Sequence, residues 1–238
     1  MREVTGGGGR WRATAARAEG EADAYAETMT TSAPPAHVCA VAGLVAFSCT
    51  VASIRHAKDA SKAPRMVERV ELLRMSAERV GAFGEVDGLA RRLGTDAATA
   101  AQPYQGCLGE LDERLRPADW AERLLKSHLY LGMLSDFCRA LVAALPDGSR
   151  EPLEQVLAQD TFDDFAAAQL LPGIGSDPQL AGRMGLWGRR VVGEEIGSLL
   201  RVLAGFPDLL EGPVTQAVLH EALSEGAVRR VHGLGLNA

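Results

Sequence analysis

The arrangement of apolar and polar residues along the chain predicts helices and no convincing strand. An uncharged run, VCAVAGLVAFSCTVASI at 38–54, predicts a helix that neighbouring elements surround on most of its circumference. The next segment, 64–93, has the amphipathic period of a helix whose apolar face packs on a core, and Gly94 ends it. The apolar residues of that period are Met66, Val70, Leu73, Ala77 and Val80.

Four further helices are predicted after a long connection at 95–117. Asp119 caps the first of them, and the others span about 151–171, 179–204 and 213–231, with a tight turn at 146–149 and a loop at 172–178. A long crossover between the second and third helices, with short loops elsewhere, is the connectivity of ferritin-like bundles. The sequence therefore predicts an all-α protein, a ferritin-like four-helix bundle with two additional C-terminal helices.

Composition divides the chain into a tail and a domain. Residues 1–36 are rich in glycine, alanine and charged residues and end in paired prolines, so we predict a disordered tail before a helical domain at 37–238.

The formal charge of −6 gives no strong nucleic-acid signal, and four cysteines without a CxxC pair are typical of the reducing cytoplasm. The run at 38–54 sits at the lower edge of a membrane span, so a membrane-associated protein is an alternative that we do not favour.

Several runs along residues 38–238 carry a family resemblance. They are Gly43 through Phe47, APRMVERVELLRM at 63–75, the segment 81–94, DW at 119–120, SDF at 135–137, GRMGLWGRRVVGE at 182–194 and the ending RRVHGLGLNA. Together they resemble the ferritin-like proteins related to the tRNA hydroxylase that acts on 2-methylthio-isopentenyladenosine, in the form common in actinobacteria. In members that look active, the resemblance implies a Glu on helix one, Glu-x-x-His on helix two and acid-x-x-His on helix four, holding two irons.

This chain carries other residues at the positions that the resemblance assigns to iron ligands. They are Cys49 on helix one, Arg79 and Ala82 on helix two, and Gln159 and Phe162 on helix four, while the acids that remain are Asp136, Asp164 and Glu194. None of the five histidines has an acid three residues before it. Because a guanidinium brings a permanent positive charge, we predict a degenerate metal site and expect Arg79 to pair with Asp136 or Glu194.

These observations favour a non-catalytic relative of di-iron tRNA hydroxylases with a binding or scaffold role. We predict no catalytic or cofactor-binding residue and no resident cofactor, and as partners a second copy of the chain or a paralogue. The alternative is an oxygen-dependent di-iron hydroxylase of the tRNA-modifying type. His128 is expected to be an interior or rim histidine rather than a general base. The basic pairs at 189–190 and 229–230 are expected to form intramolecular ion pairs, and an anion contact is the less favoured alternative.

Overall fold

The computed structural model describes residues 36–109, 114–159, 161–210 and 214–236. The tail predicted at 1–36 lies outside the described residues, except for Ala36. Within the described part the protein is all-helical, as predicted, and has eight α-helices. They are α1 (Ala36–Ala60), α2 (Met66–Arg92), α3 (Ala97–Ala101), α4 (Trp120–Val142), α5 (Asp147–Ala158), α6 (Phe162–Ser176), α7 (Pro178–Gly205) and α8 (Gln216–Gly233).

Helix α1 lies inside the bundle and packs against α2, α3 and α4. The approach to α3 is close, because a Cβ added at Gly43 would lie 2.2 Å from the carbonyl oxygen of Ala100. Helix α1 is also long and apolar enough to cross a membrane, but 56% of its most apolar stretch is buried within the protein. A mostly buried helix of this kind is equally typical of the core of a soluble bundle.

Helix α2 has the predicted length, but the face that packs on the core is opposite to the predicted one. The apolar residues Met66, Val70, Leu73 and Val80 are between 39% and 67% exposed, and Ala77 is exposed with them. The face that packs on the core contains Glu68 and Arg79 instead, among the residues Leu72, Met75, Ala82, Val86 and Leu89. The charge of Glu68 is compensated locally, since its carboxylate accepts a hydrogen bond from Nε of the Arg65 guanidinium at 2.8 Å and another from the backbone N–H of Arg65 at 3.1 Å.

The fourth predicted helix, 151–171, is two helices in the structure. Helix α5 begins at Asp147, inside the predicted tight turn, and ends at Ala158, while α6 begins at Phe162. Helix α6 continues through Pro172 to Ser176, so the loop predicted at 172–178 is wrong. Asp177 then caps α7, accepting a hydrogen bond from the N–H of Gln179 at 2.9 Å, and Pro178 occupies the first position of α7, where its missing N–H costs nothing.

The long crossover and the two additional C-terminal helices are present as predicted. The described part of the crossover contains α3 and a short 3₁₀ turn, and Tyr104 in that turn donates a hydrogen bond to the carbonyl of Ala40 at 2.9 Å. Helix α7 packs against α4, where the indole of Trp187 donates to the carbonyl of Glu122 at 2.9 Å. Helix α8 packs against both α4 and α7.

Candidate functional site

A small cavity lies at the centre of the bundle, where α1, α2, α4 and α5 meet. Its volume is about 20 Å³, which is room for about one water molecule. The side chains that line it come from all four helices and are Ser48, Cys49, Ala52, Arg79, Leu131, Leu134, Ser135 and Leu157. Two of the predicted ligand positions, Cys49 and Arg79, therefore do meet in the bundle centre.

Arg79 is only 7% exposed, and its side chain contacts the C-terminal end of α5. Its guanidinium donates a hydrogen bond to the backbone carbonyl of Gln159, and Arg139 of α4 donates to the carbonyl of Leu157 at 2.8 Å. The last carbonyls of a helix have no partner within the helix and carry partial negative charge, so two guanidiniums satisfy and stabilise them. The expected pairing of Arg79 with Asp136 or Glu194 is wrong, because its hydrogen bond goes to a carbonyl.

The remaining predicted ligand positions, Ala82, Gln159 and Phe162, do not line the cavity. The side chain of Gln159 points away and donates to Glu85 at 3.1 Å, so only its carbonyl is used. Ala82 is buried on α2, and the ring of Phe162 packs against His56 with 4.7 Å between ring centroids. Ala82 and Phe162 are therefore buried packing residues, whereas the side chain of Gln159 is exposed.

The thiol of Cys138, close to Ser48 of the cavity lining, is held in its neutral form. Cys138 is fully buried next to this region, and burial raises the pKa of its thiol to about 12, against a smaller opposing effect of the Ser48 hydroxyl. A thiol binds metal or attacks an electrophile only as the thiolate. Cys138 is therefore an inert core residue at neutral pH.

A di-iron centre does not fit this cavity. Such centres in ferritin-like bundles are held by four carboxylates and two imidazoles that project inward. The lining here offers two serine hydroxyls, one thiol and one guanidinium, and neither a carboxylate nor an imidazole. Across the described parts of the chain, no group of three or more His, Cys, Asp or Glu side chains is placed to hold a metal ion.

The three acids that the sequence singled out are dispersed. Asp136 turns away from the cavity toward α8, where its two carboxylate oxygens accept hydrogen bonds from Arg230 at 2.5 and 3.2 Å. Glu194 forms an ion pair with Arg114 at 3.4 Å. Asp164 is exposed at the rim of a separate pocket. No carboxylate-only metal site can form from three side chains that point in different directions.

The Asp136–Arg230 pair depends on two glycines. A Cβ at Gly132 of α4 would lie 1.9 Å from Nε of Arg230, and a Cβ at Gly226 of α8 would lie 1.9 Å from Oδ2 of Asp136. Each charged side chain therefore passes over a glycine of the other helix. A paired and largely buried guanidinium of this kind fixes the position of α8 on α4. One of the predicted basic pairs is thus an intramolecular ion pair.

His128 is buried, as expected, and stands beside a pocket of about 290 Å³ at the surface. Its Nδ1 lies 2.9 Å from a carboxylate oxygen of Asp163. Burial acts to raise the pKa of Asp163, but His128 and Arg230 more than offset it and hold the pKa below its usual value. The charges around this pocket compensate one another, which is typical of a structural ion-pair network.

Glu195 was not predicted from the sequence, yet its carboxyl has the features of a functional residue: it is buried, unpaired within the described residues and has a shifted pKa. It is fully buried, and within the described residues neither carboxylate oxygen has a hydrogen-bond partner. Burial raises its pKa to about 8, although the charges of Arg55, Lys126 and Arg201 act in the opposite direction. The signal was present in the sequence, because Glu195 lies four residues after Val191 and four before Leu199, on the apolar side of α7.

Comparison with known proteins identifies the fold. The sequence profile of a family described as "Ferritin-like domain, actinomycetes" matches residues 35–211. A solved structure from Synechococcus, described as a protein with aldehyde deformylating oxidase activity, superposes with a TM-score of 0.67 at 17% sequence identity, over 87% of this chain and 94% of the other. None of the curated proteins matches the sequence significantly.

Proposed function

Because the chain belongs to the ferritin-like domain family of actinomycetes, we propose that it is a relative of di-iron proteins that holds no di-iron centre and serves a binding or scaffold role. The observation that carries this proposal is the position of Arg79. Arg79 lines the central cavity, where the fold family would hold two cations, and its permanent positive charge would repel them.

The donor set around Arg79 supports the same proposal. Iron in a carboxylate-bridged centre needs anionic oxygen ligands, and the residues that line the cavity supply none. Arg79 also donates a hydrogen bond at the C-terminal end of α5, so a movement of its side chain out of the cavity would cost the hydrogen bond to the carbonyl of Gln159. The proposal keeps the resemblance to tRNA hydroxylases as a statement of descent: the bundle would be shared and the ligands replaced.

The burial of α1 supports a proposal for the cellular location. We propose a cytoplasmic protein, because the helix that could cross a membrane by length is packed inside the bundle on more than half of its apolar stretch. Exposing that helix to lipid would require its separation from α2, α3 and α4.

Iron content tests the proposal. The full chain is purified from cells supplied with iron, and its metal is measured by inductively coupled plasma mass spectrometry. We expect far less than one iron per chain, and no rise in melting temperature when Fe(II) is added without oxygen, since a ligand that binds the folded state would stabilise it. About two irons per chain, or a melting temperature that rises with Fe(II), would overturn the proposal in favour of a di-iron oxygenase.

A further inference from the structure

The outward face of α2 is apolar along most of its length. Met66, Val67 and Val80 are 67%, 66% and 61% exposed, and Leu73 is 49% exposed. We call the residues that share this face the α2 stripe, and they are Met66, Val70, Leu73, Ala77, Val80, Gly84 and Gly88. They recur at three- and four-residue intervals, so they form one continuous row along the helix. A row of exposed apolar side chains without an interspersed charge marks an interaction surface.

The second half of the stripe contains glycines that the chain itself does not need. A Cβ at Gly81, Gly84 or Gly88 would meet no atom within 4 Å. A glycine inside a helix destabilises it by about 1 kcal/mol relative to alanine. Gly84 and Gly88, the two of these that belong to the stripe, therefore leave open space in which a large side chain of another molecule can lie.

The stripe is complementary to itself in the antiparallel direction. Three of its four large side chains, Met66, Val70 and Leu73, lie in the first half, and its two glycines, Gly84 and Gly88, lie in the second half together with Val80. If two copies of α2 run in opposite directions about an axis at the level of residue 76, Met66 of each copy lies level with the gap between Gly84 and Gly88 of the other, and Val70 lies level with the gap between Val80 and Gly84. A parallel arrangement would place large against large and leave a gap between the glycine halves.

Charges beside the stripe favour the same arrangement. Arg74 and Glu78 are exposed and lie on the same flank of the stripe, because they are one turn apart. Arg74 pairs within its own helix with Glu71 at 3.2 Å, and the described residues offer Glu78 no ion-pair partner. In an antiparallel helix pair, each flank faces the same flank of the partner. A two-fold axis near Ser76 then places Arg74 opposite Glu78 of the second copy, and Glu78 opposite its Arg74.

We propose that the α2 stripe is the interface between two copies of this chain, which pair antiparallel about a two-fold axis near Ser76. Such an isologous contact uses the same patch on both subunits and closes as a dimer. Ile54 of α1, which is 55% exposed and lines a groove together with Val80, extends the apolar surface at its edge. The pairing does not depend on the metal content, so the two proposals can fail separately.

Sedimentation equilibrium of the full chain tests the interface. We expect a concentration-dependent dimer for the wild type. Gly84→Leu fills the place of the partner's large side chains and should weaken the dimer by at least about tenfold, whereas its melting temperature should not fall, because nothing in the chain lies near that position. Gly182→Leu is the matched control, an exposed helical glycine of α7 with equally open surroundings, and it should leave the dimer intact.

Charge reversal tests the register. Arg74→Glu or Glu78→Arg alone places like charges opposite each other twice per dimer and should weaken pairing, and the double variant should restore it. A wild type that stays monomeric at about 100 µM, where a dimer with a dissociation constant of about 1 µM would be almost fully formed, would overturn the proposal. So would a Gly84→Leu dimer as tight as the wild type, or a double charge variant that pairs no better than the single ones.

Discussion

Replacing Glu195 with glutamine should stabilise the protein at neutral pH and reduce the dependence of its stability on pH. In the folded protein, burial keeps this carboxyl protonated up to about pH 8, whereas its usual pKa is 4.5. Between these values the folded state binds more protons than the unfolded state, so the free energy of unfolding falls as the pH rises. Glutamine has nearly the same shape and no proton to lose.

The size of the effect follows from the two pKa values. At about 1.4 kcal/mol per pKa unit, raising the pH from about 5 to about 7 should cost the wild type on the order of 2 kcal/mol through this group alone. Burial also raises the pKa of Asp59, which is fully buried and accepts a hydrogen bond from Ser127 at 2.5 Å. The wild type and the variant share that contribution, so the difference between them isolates Glu195.

Urea unfolding followed by circular dichroism, at several pH values between about 5 and 8, measures this difference. The neighbouring Glu194→Gln is the matched control, because it removes only a half-exposed ion pair with Arg114, which contributes at most about 1 kcal/mol. The two Gln variants should therefore differ in slope: Glu195→Gln should flatten the profile, and Glu194→Gln should follow the wild type. Parallel profiles for the wild type and Glu195→Gln would refute the reasoning.

Two glycines give the remaining predictions, both measured as changes in the free energy of unfolding. Gly132→Ala should cost about 1–3 kcal/mol, because its Cβ would collide with Arg230 and disturb the seating of α8, whereas Gly233→Ala, with no atom nearby, should be nearly neutral. Gly43→Ala should cost at least as much as Gly132→Ala, because the atom that its Cβ meets is the backbone carbonyl of Ala100, which cannot rotate away as a side chain can. A Gly43→Ala protein as stable as the wild type would show that α1 and α3 do not approach this closely.

The helices themselves could be predicted because their signals are local. Apolar period, cap residues such as Asp119, and the long crossover are all visible in the sequence and reappear in the structure. The break between α5 and α6 could not be predicted, since no residue in that segment forces it. In the structure the carbonyls at the end of α5 accept hydrogen bonds from Arg79 of α2 and Arg139 of α4, and these long-range contacts are not visible in the local sequence.

In the candidate site, the positions of two residues could be predicted, but the partner of Arg79 could not. The resemblance assigned Cys49 and Arg79 to ligand positions, and both line the central cavity. The prediction that Arg79 pairs with Asp136 was wrong because Asp136 is one residue beyond Ser135 on α4. One residue turns the direction of a side chain by about 100° around a helix. Ser135 therefore faces the cavity, and Asp136 faces Arg230 on α8.

Helix α2 shows most clearly what an apolar period leaves undecided. The period identifies residues that share a face, but it does not say whether that face packs on the core of the same chain or on another molecule. In α2 the core receives the face with Glu68 and Arg79, because each finds a specific partner: the backbone of Arg65 for the carboxylate, and the carbonyl of Gln159 for the guanidinium. Buried charges are tolerated when they are paired and hydrogen-bonded. The stripe from Met66 to Gly88 is then left in water, at a cost of about 25 cal/mol for each Å² of apolar surface, and pairing of two copies through the stripe would recover that free energy.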